Sequence, residues 1–244
     1  MRLTRCPVDL PLRTGLQLPL PDEAAAHLVR VLRLREGDAC VLFNGDGRDY
    51  TATLVAVGKR DVQVRIDAAT PVDTESPLAI TLLQGVARGE KMDLILQKAT
   101  ELGVAAIVPV NAERTEVKLD AARTEKRIAH WRSVVGSACG QSGRARIPAL
   151  SPPQALAAAT AALPAQSLRL TLDPQGGHRL AGLPPAPAGG VVIAIGPEGG
   201  WSPRDRQQLA DAGFQGLQLG PRILRTETAG LAAIAALQAR LGDL

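Results

Sequence analysis

Aromatic residues are nearly missing from this chain: two Trp, one Tyr and two Phe, about 2% of 244 residues. An RNA binder that stacks bases on exposed rings needs more of them, which argues against that class. Cysteine is equally scarce. Cys6, Cys40 and Cys139 are odd in number and form no C-x-x-C pair. That argues against a disulfide framework or a zinc site and suits a reducing compartment. His27, His130 and His178 stand apart, so no metal is expected. The longest apolar run, Ala229–Leu237, is too short to span a bilayer. The first residues carry Pro and Arg where a signal peptide has its apolar stretch, so a cytoplasmic protein without membrane contact is expected.

What remains is aliphatic. Hydrophobic residues make up 45% of the chain, enough core for one large or two modest domains. In residues 1–70 the runs Ala39–Phe43, Tyr50–Val57 and Val62–Ile66 read as strands. The turn signals Asn44-Gly45-Asp46-Gly47 and Gly58-Lys59-Arg60-Asp61 separate them. Short strands with tight turns imply a small barrel, here with one helix over Asp22–Leu34. Thr70–Pro77 reads as a linker. Beyond it strands and helices alternate: Leu78–Leu83, Glu90–Leu102, Ala105–Val110, Thr124–Cys139, Pro153–Ala162 and Leu168–Leu172. That alternation predicts an α/β fold with a mostly parallel sheet.

The net charge of +4 is mild, but it is unevenly placed. Residues 1–75 hold 10 Lys and Arg against 11 Asp and Glu, while residues 114–146 hold 8 against 3. A local basic patch with Arg123, Lys126, Arg127, Arg144 and Arg146 suits RNA; a solvated helix face is the plainer alternative.

The most distinctive stretch is Val191–Ala233. Two buried-looking strands, Val191–Ile195 and Leu217–Leu219, run into the loops Gly196-Pro197-Glu198-Gly199-Gly200 and Gly220-Pro221-Arg222. A parallel sheet gathers such loops at the carboxyl ends of its strands, where ligands bind. Ser202, Pro203 and Asp205 already mark the next helix start as a capping box. The loop glycines are therefore left for sharp turns and close backbone approach. A phosphate cradle usually carries Lys or Arg, but the first loop has none and places Glu198 there. A ligand without phosphates, and with positive charge of its own, fits better. Ordinary strand-to-helix turns remain the alternative for either loop alone.

GPEGGWS, followed about twenty residues later by LGPRILRTETA, resembles the cofactor signature of the SPOUT methyltransferases. The similarity is greatest to the RsmE family, and HLVRVLRLREGD, QKATELGV, ERT and QSGRARIP resemble that family in order. The resemblance implies an S-adenosyl-L-methionine-dependent enzyme that methylates N3 of a specific uridine in 16S ribosomal RNA of the small subunit. It implies a PUA-like, RNA-binding β-barrel over residues 1–70. Residues 77–244 would form a SPOUT domain with a C-terminal trefoil knot, and the chain would be a homodimer. Leu172, Gly196, Pro197, Glu198, Gly199, Gly200, Leu219, Gly220, Ile223, Leu224, Arg225, Thr228 and Ala229 are the expected cofactor contacts. His27, Arg30, Arg33, Arg114, Arg144 and Arg146 are the expected RNA contacts.

Uridine N3 is a poor nucleophile while protonated, and losing the proton puts charge on O2 and O4. A fixed guanidinium beside that charge favours the transition state. Arg225 is the first candidate, ahead of Arg222 and Arg114, and Glu198 is a weaker candidate for a base. The last helix, Glu227–Leu241, is apolar all round from Ala229 to Leu237, so it must be buried in a core or against another subunit. A methyltransferase for another RNA nucleotide, a non-catalytic RNA binder and a nucleotide-dependent oxidoreductase are the alternatives.

Overall fold

The computed structural model describes residues 3–58, 61–116 and 121–244, with the side chains of Ala121 and Ala122 excepted. The expected turn at Gly58–Asp61 therefore lies partly outside the described residues. The chain divides into two compact units, Met1–Glu75 with Gly136–Ile147, and Ser76–Val135 with Pro148–Leu244.

In the first unit β1 (Arg5–Pro7), β2 (Gln17–Pro19), β3 (Ala39–Phe43), β4 (Arg48–Val57) and β5 (Val62–Pro71) form one sheet in the order β1-β3-β4-β5-β2. The β1–β3 pairing is parallel and the others are antiparallel. Two-residue alternation explains its core: Tyr50, Ala52 and Leu54 of β4 and Val62, Val64 and Ile66 of β5 all face inward. Gly45 and Gly47, at φ of +92° and +89°, make the β3–β4 turn possible. Among the described residues no pairing joins β1 to β2, so the hydrogen-bonded sheet has two ends. Strand β5 runs on through Thr70 and Pro71, which the sequence had suggested for the linker; Thr70 pairs with Asp49 and Pro71 with Arg48.

The expected helix at Asp22–Leu34 is shorter and changes pitch. It is α-helical over Asp22–Ala25 (α1) and then widens to a π-helix over Ala26–Val31. Just beyond it Arg33 takes φ of +60°, the one non-glycine positive φ among the described residues. A bulky side chain there is an outlier that the surrounding structure must hold in place.

Gly136–Ile147, expected in the second domain, belongs to the first unit. The reason is a buried polar cluster that periodicity does not reveal. Arg5 bonds Asp49 through Nε (3.0 Å) and Nη2 (2.5 Å), and donates to the carbonyls of Cys139 (2.8 Å) and Arg144 (3.1 Å). Gly140 allows the approach, since a Cβ there would stand 3.1 Å from the Arg5 carbonyl oxygen. Cys6, Cys40 and Cys139 are buried and free. Burial pushes their thiols up, to about 11, 12 and 11, which leaves them protonated and unreactive.

The second unit is the expected α/β layer structure. Its strands are β6 (Ile80–Gly85), β7 (Ala106–Asn111), β8 (Ala149–Leu150), β9 (Gln154–Ala155), β10 (Leu168–Leu172), β11 (His178–Arg179), β12 (Val191–Ile195) and β13 (Gln215–Gln218). Its helices are α2 (Glu90–Glu101), α3 (Ala121–Ser142, the end of which lies in the first unit), α4 (Leu156–Ala161), α5 (Pro203–Asp211) and α6 (Thr226–Leu241). The strand order is β11-β13-β10-β12-β6-β7-β8, β9 also pairs with β7, and every pairing is parallel.

Such a sheet must be apolar on both faces. Val191, Ile193 and Ile195 of β12 pack on one side with Met92, Ile95 and Leu96 of α2 and Ala233, Ile234 and Leu237 of α6. Val192 and Ala194 pack on the other with Leu156 of α4, Leu209 of α5, Trp201 and Phe214. Burial of each Val or Ile side chain contributes roughly 1.5–3 kcal/mol, which makes β12 the centre of the domain. Among the described residues no helix is long and apolar enough to cross a membrane.

Candidate functional site

The carboxyl ends of β10, β12 and β13 are adjacent because β10 lies between the other two. The chain leaves each strand through a turn, and those turns enclose a pocket of about 490 Å³. Its wall includes Leu172 and Asp173 after β10, Gly196, Pro197, Glu198 and Gly200 after β12, and Leu219, Gly220, Ile223 and Leu224 after β13. Gly200 at φ +66° and Gly220 at φ +121° occupy conformations that L side chains rarely adopt.

Two features hold the first loop in place. Gly85 ends β6 directly beneath it, where a Cβ would stand 2.5 Å from Pro197 N and Cδ. At the far end the expected capping box is formed. Asp205 N–H donates to Ser202 Oγ and Ser202 N–H to Asp205 Oδ2, both at 3.0 Å, with Pro203 in the first turn.

Helix α6 starts against the same loop. The Thr226 hydroxyl donates to the Gly196 carbonyl at 2.6 Å and accepts from Gln84 Nε2 at 3.0 Å. This brings Arg225, Thr226, Glu227 and Ala229 into the pocket wall. Arg225 is exposed, and neither Glu198 nor Glu227 forms an ion pair with it.

The pocket is more charged than its loops suggest. Lys91 of α2 approaches Glu198 at 3.5 Å, and Arg206 of α5 approaches Asp173 at 3.9 Å. Lys91 comes from an element distant in sequence, whereas Arg206 lies on the helix that follows the first loop. Burial alone would raise the Glu198 carboxyl, but backbone N–H donors from Arg88 and its own residue, with the Lys91 ammonium, outweigh it. The net shift is downward. Glu198 is therefore a firmly ionised anchor and a poor base, which counts against the catalytic role considered for it.

Of the expected cofactor contacts, Gly199 and Thr228 do not line the pocket. Gly199 turns toward Arg114, whose Nη1 donates to its carbonyl at 3.0 Å. Thr228 is on the exposed side of α6. Trp201, Thr226 and Glu227 were missed. The capping-box position and the RTET run contained them, but nothing in residue type alone gave their direction.

The expected RNA contacts separate just as clearly. His27, Arg30, Arg33 and Arg146 are exposed in the first unit, and Val31 (67% exposed) projects beside them. Arg114 is exposed beside the glycine loop. Arg144 is a correction: it is 4% exposed, and its guanidinium forms a fork to Glu75 at 3.1 and 2.5 Å. A buried, paired arginine cannot reach a phosphate. Arg123, Lys126 and Arg127 share one face of α3 beside Trp131, lining a shallow groove of the second unit.

Two family models match this chain. The RNA methyltransferase domain matches residues 74–238, and the RNA methyltransferase PUA domain matches residues 20–67. A parallel α/β domain with its pocket at the strand ends, joined to a PUA domain, defines the class as an RNA methyltransferase. Ribosomal RNA small subunit methyltransferase E of Mycobacterium bovis is 33% identical over 227 residues, covering 91% of this chain and 86% of that protein. The same enzyme of Neisseria gonorrhoeae, crystallised with S-adenosyl methionine, is 41% identical with full coverage of both chains and a TM-score of 0.91. A methyltransferase from Legionella pneumophila in complex with SAM is 39% identical, again over both whole chains, with a TM-score of 0.95. The chain belongs to the ribosomal RNA small subunit methyltransferase E family.

Proposed function

We propose that this protein transfers the methyl group of S-adenosylmethionine to N3 of one uridine in 16S ribosomal RNA. The observation that carries the reading is the convergence of both glycine loops and the start of α6 on one pocket. Its volume of about 490 Å³ is in the range of small-molecule sites. Apolar Leu172, Leu219 and Leu224 form a slot for an adenine ring, and loop backbone can hold the polar edges. The cofactor supplies a methyl already activated on a sulfonium.

The rest falls to the chain's own groups. Pro197, Gly196 and Gly200 fix the floor, and Ala229 closes one side. Arg225 meets the charge that develops on uracil O2 or O4, with Arg222 further out on the same loop. Residues 1–70 form a PUA-like barrel that holds RNA through His27, Arg30 and Arg33, with Arg146 a further contact of the first unit and Arg114 one of the second. The reading also carries a trefoil-knotted C-terminal segment and a cytoplasmic homodimer.

Support for the dimer comes from α6. Ala233, Ile234 and Leu237 fill the core, while Leu231, Ala232, Ala235 and Ala236 on the other side are only half buried. An apolar face of this kind calls for a covering surface. Leu231→Glu should convert a dimer to a folded monomer in sedimentation equilibrium; a wild-type monomer would remove the dimer.

The main test is direct. Calorimetry should detect binding of S-adenosylmethionine and none of NAD or ATP. Cells lacking the protein should lose one N3-methyluridine from 16S ribosomal RNA by mass mapping. An unchanged modification map would overturn the assignment.

A further inference from the structure

We infer that Glu227 is the general base of this reaction, accepting the N3 proton of the target uracil; the inference rests on the uridine-N3 reading above. Three carboxylates line the pocket, and two already have partners. Asp173 accepts the Gln175 backbone N–H at 2.9 Å and faces Arg206 at 3.9 Å. Glu198 accepts the Arg88 N–H at 3.0 Å and faces Lys91 at 3.5 Å.

Glu227 differs. Its Oε2 is shut off from solvent, and among the described residues no hydrogen bond reaches it. A buried carboxylate oxygen without a donor is costly; because the Glu227 side chain is half-buried and lines the pocket, a turn of its carboxylate brings that oxygen to a ligand donor. The residue lies in the first turn of α6, where the helix N-terminus favours negative charge. Thr226 next to it is tied to Gly196, which holds the backbone from which Glu227 projects.

Uracil offers an imide N–H flanked by two carbonyls. An anionic acceptor for the N–H and a cation for a carbonyl are the complementary pair, and Glu227 and Arg225 are two positions apart on the same wall. The N3–H bond breaks toward a Glu227 carboxylate oxygen as the N3 electron pair forms the bond to the methyl carbon. The carbon–sulfur bond electrons remain on sulfur, which leaves as a neutral thioether. The proton on Glu227 then returns to solvent.

The test uses the full-length protein with small ribosomal subunits that lack the methyl group. For Glu227→Gln, S-adenosylmethionine affinity should stay within about threefold by calorimetry. Single-turnover methyl transfer should fall by roughly 10²–10⁴-fold, the usual contribution of a general base. That deficit should shrink as pH rises, because hydroxide then removes the N3 proton unaided. A readout independent of turnover is subunit binding with S-adenosylhomocysteine present. Wild type should prefer subunits lacking the methyl group over those carrying it, and Glu227→Leu should lose that preference.

Should either variant fail to fold, Glu227→Asp takes its place, with a smaller rate loss and the same pH trend expected. An unchanged rate, a pH-independent deficit, or cofactor affinity falling in step with the rate would each overturn the role; the last would assign Glu227 to the cofactor's ammonium. A wild-type enzyme that methylates some atom other than uridine N3 would instead sink the underlying reading.

Discussion

Arg225→Ala is expected to reduce turnover about a hundredfold or more while changing S-adenosylmethionine affinity only a few fold. Removal of one preorganised donor to a developing oxyanion typically costs that much in rate. The structure makes the variant a clean test. Arg225 is the N-cap residue of α6, but it caps through its backbone: its carbonyl accepts the Ala229 N–H at 2.7 Å, and no side-chain cap bond is formed. Alanine keeps that backbone bond, so α6 and the wall of the pocket should survive. The guanidinium has no carboxylate partner in the wall to leave unpaired, since Glu198 is held by Arg88 and Lys91. The loss should therefore appear in the chemical step, measured by single turnover at saturating RNA and cofactor. Arg225→Lys should recover only part of the rate, because an ammonium lacks the planar fork. Equal small losses in rate and affinity would mark Arg225 as a wall residue without a share in the chemistry.

How much of this site could be read from the chain follows from which physics set each residue. Local rules gave the capping box, because Ser202, Pro203 and Asp205 satisfy one another within four positions. The strand-loop-helix pattern gave both glycine loops, and parallel topology then brought them together at one pocket. Lys91 and Arg206 were invisible because only packing of α2 and α5 delivers them to Glu198 and Asp173. Glu227 was visible only as the start of the last helix. Its meaning depends on an oxygen that the fold leaves without a donor. Gly199 shows the opposite failure: its place in the motif suggests ligand contact, yet the loop turns it toward Arg114. The widened helical turn at Ala26–Val31 has no periodic signature, because residue spacing is nearly the same for an α-helix and a short π segment.

Arg144→Ala should lower the melting temperature by about 5–15 °C and leave the salt dependence of RNA binding unchanged. From sequence, Arg144 and Arg146 look alike, two cations in QSGRARIP. In the fold Arg146 is exposed, while the Arg144 side chain keeps 5% of its accessible surface and forks onto Glu75, which keeps 25%. Removing one partner of a fully buried pair costs about 3–5 kcal/mol. The partial exposure of Glu75 reduces this to roughly 2–4 kcal/mol, since solvent can still reach the abandoned charge. For a chain of this size each kcal/mol shifts the midpoint by about 2–4 °C, which gives the stated range. The Arg144→Met/Glu75→Leu double variant should recover most of the loss, because an apolar pair removes both desolvation penalties at once. Salt titration of RNA affinity separates the two arginines. A phosphate contact contributes close to one unit to the slope of log affinity against log salt, so Arg146→Ala should flatten it and Arg144→Ala should not. Thermal unfolding that left Arg144→Ala unshifted, together with a flattened salt slope, would return Arg144 to the RNA-binding surface and break its assignment as the buried partner of Glu75.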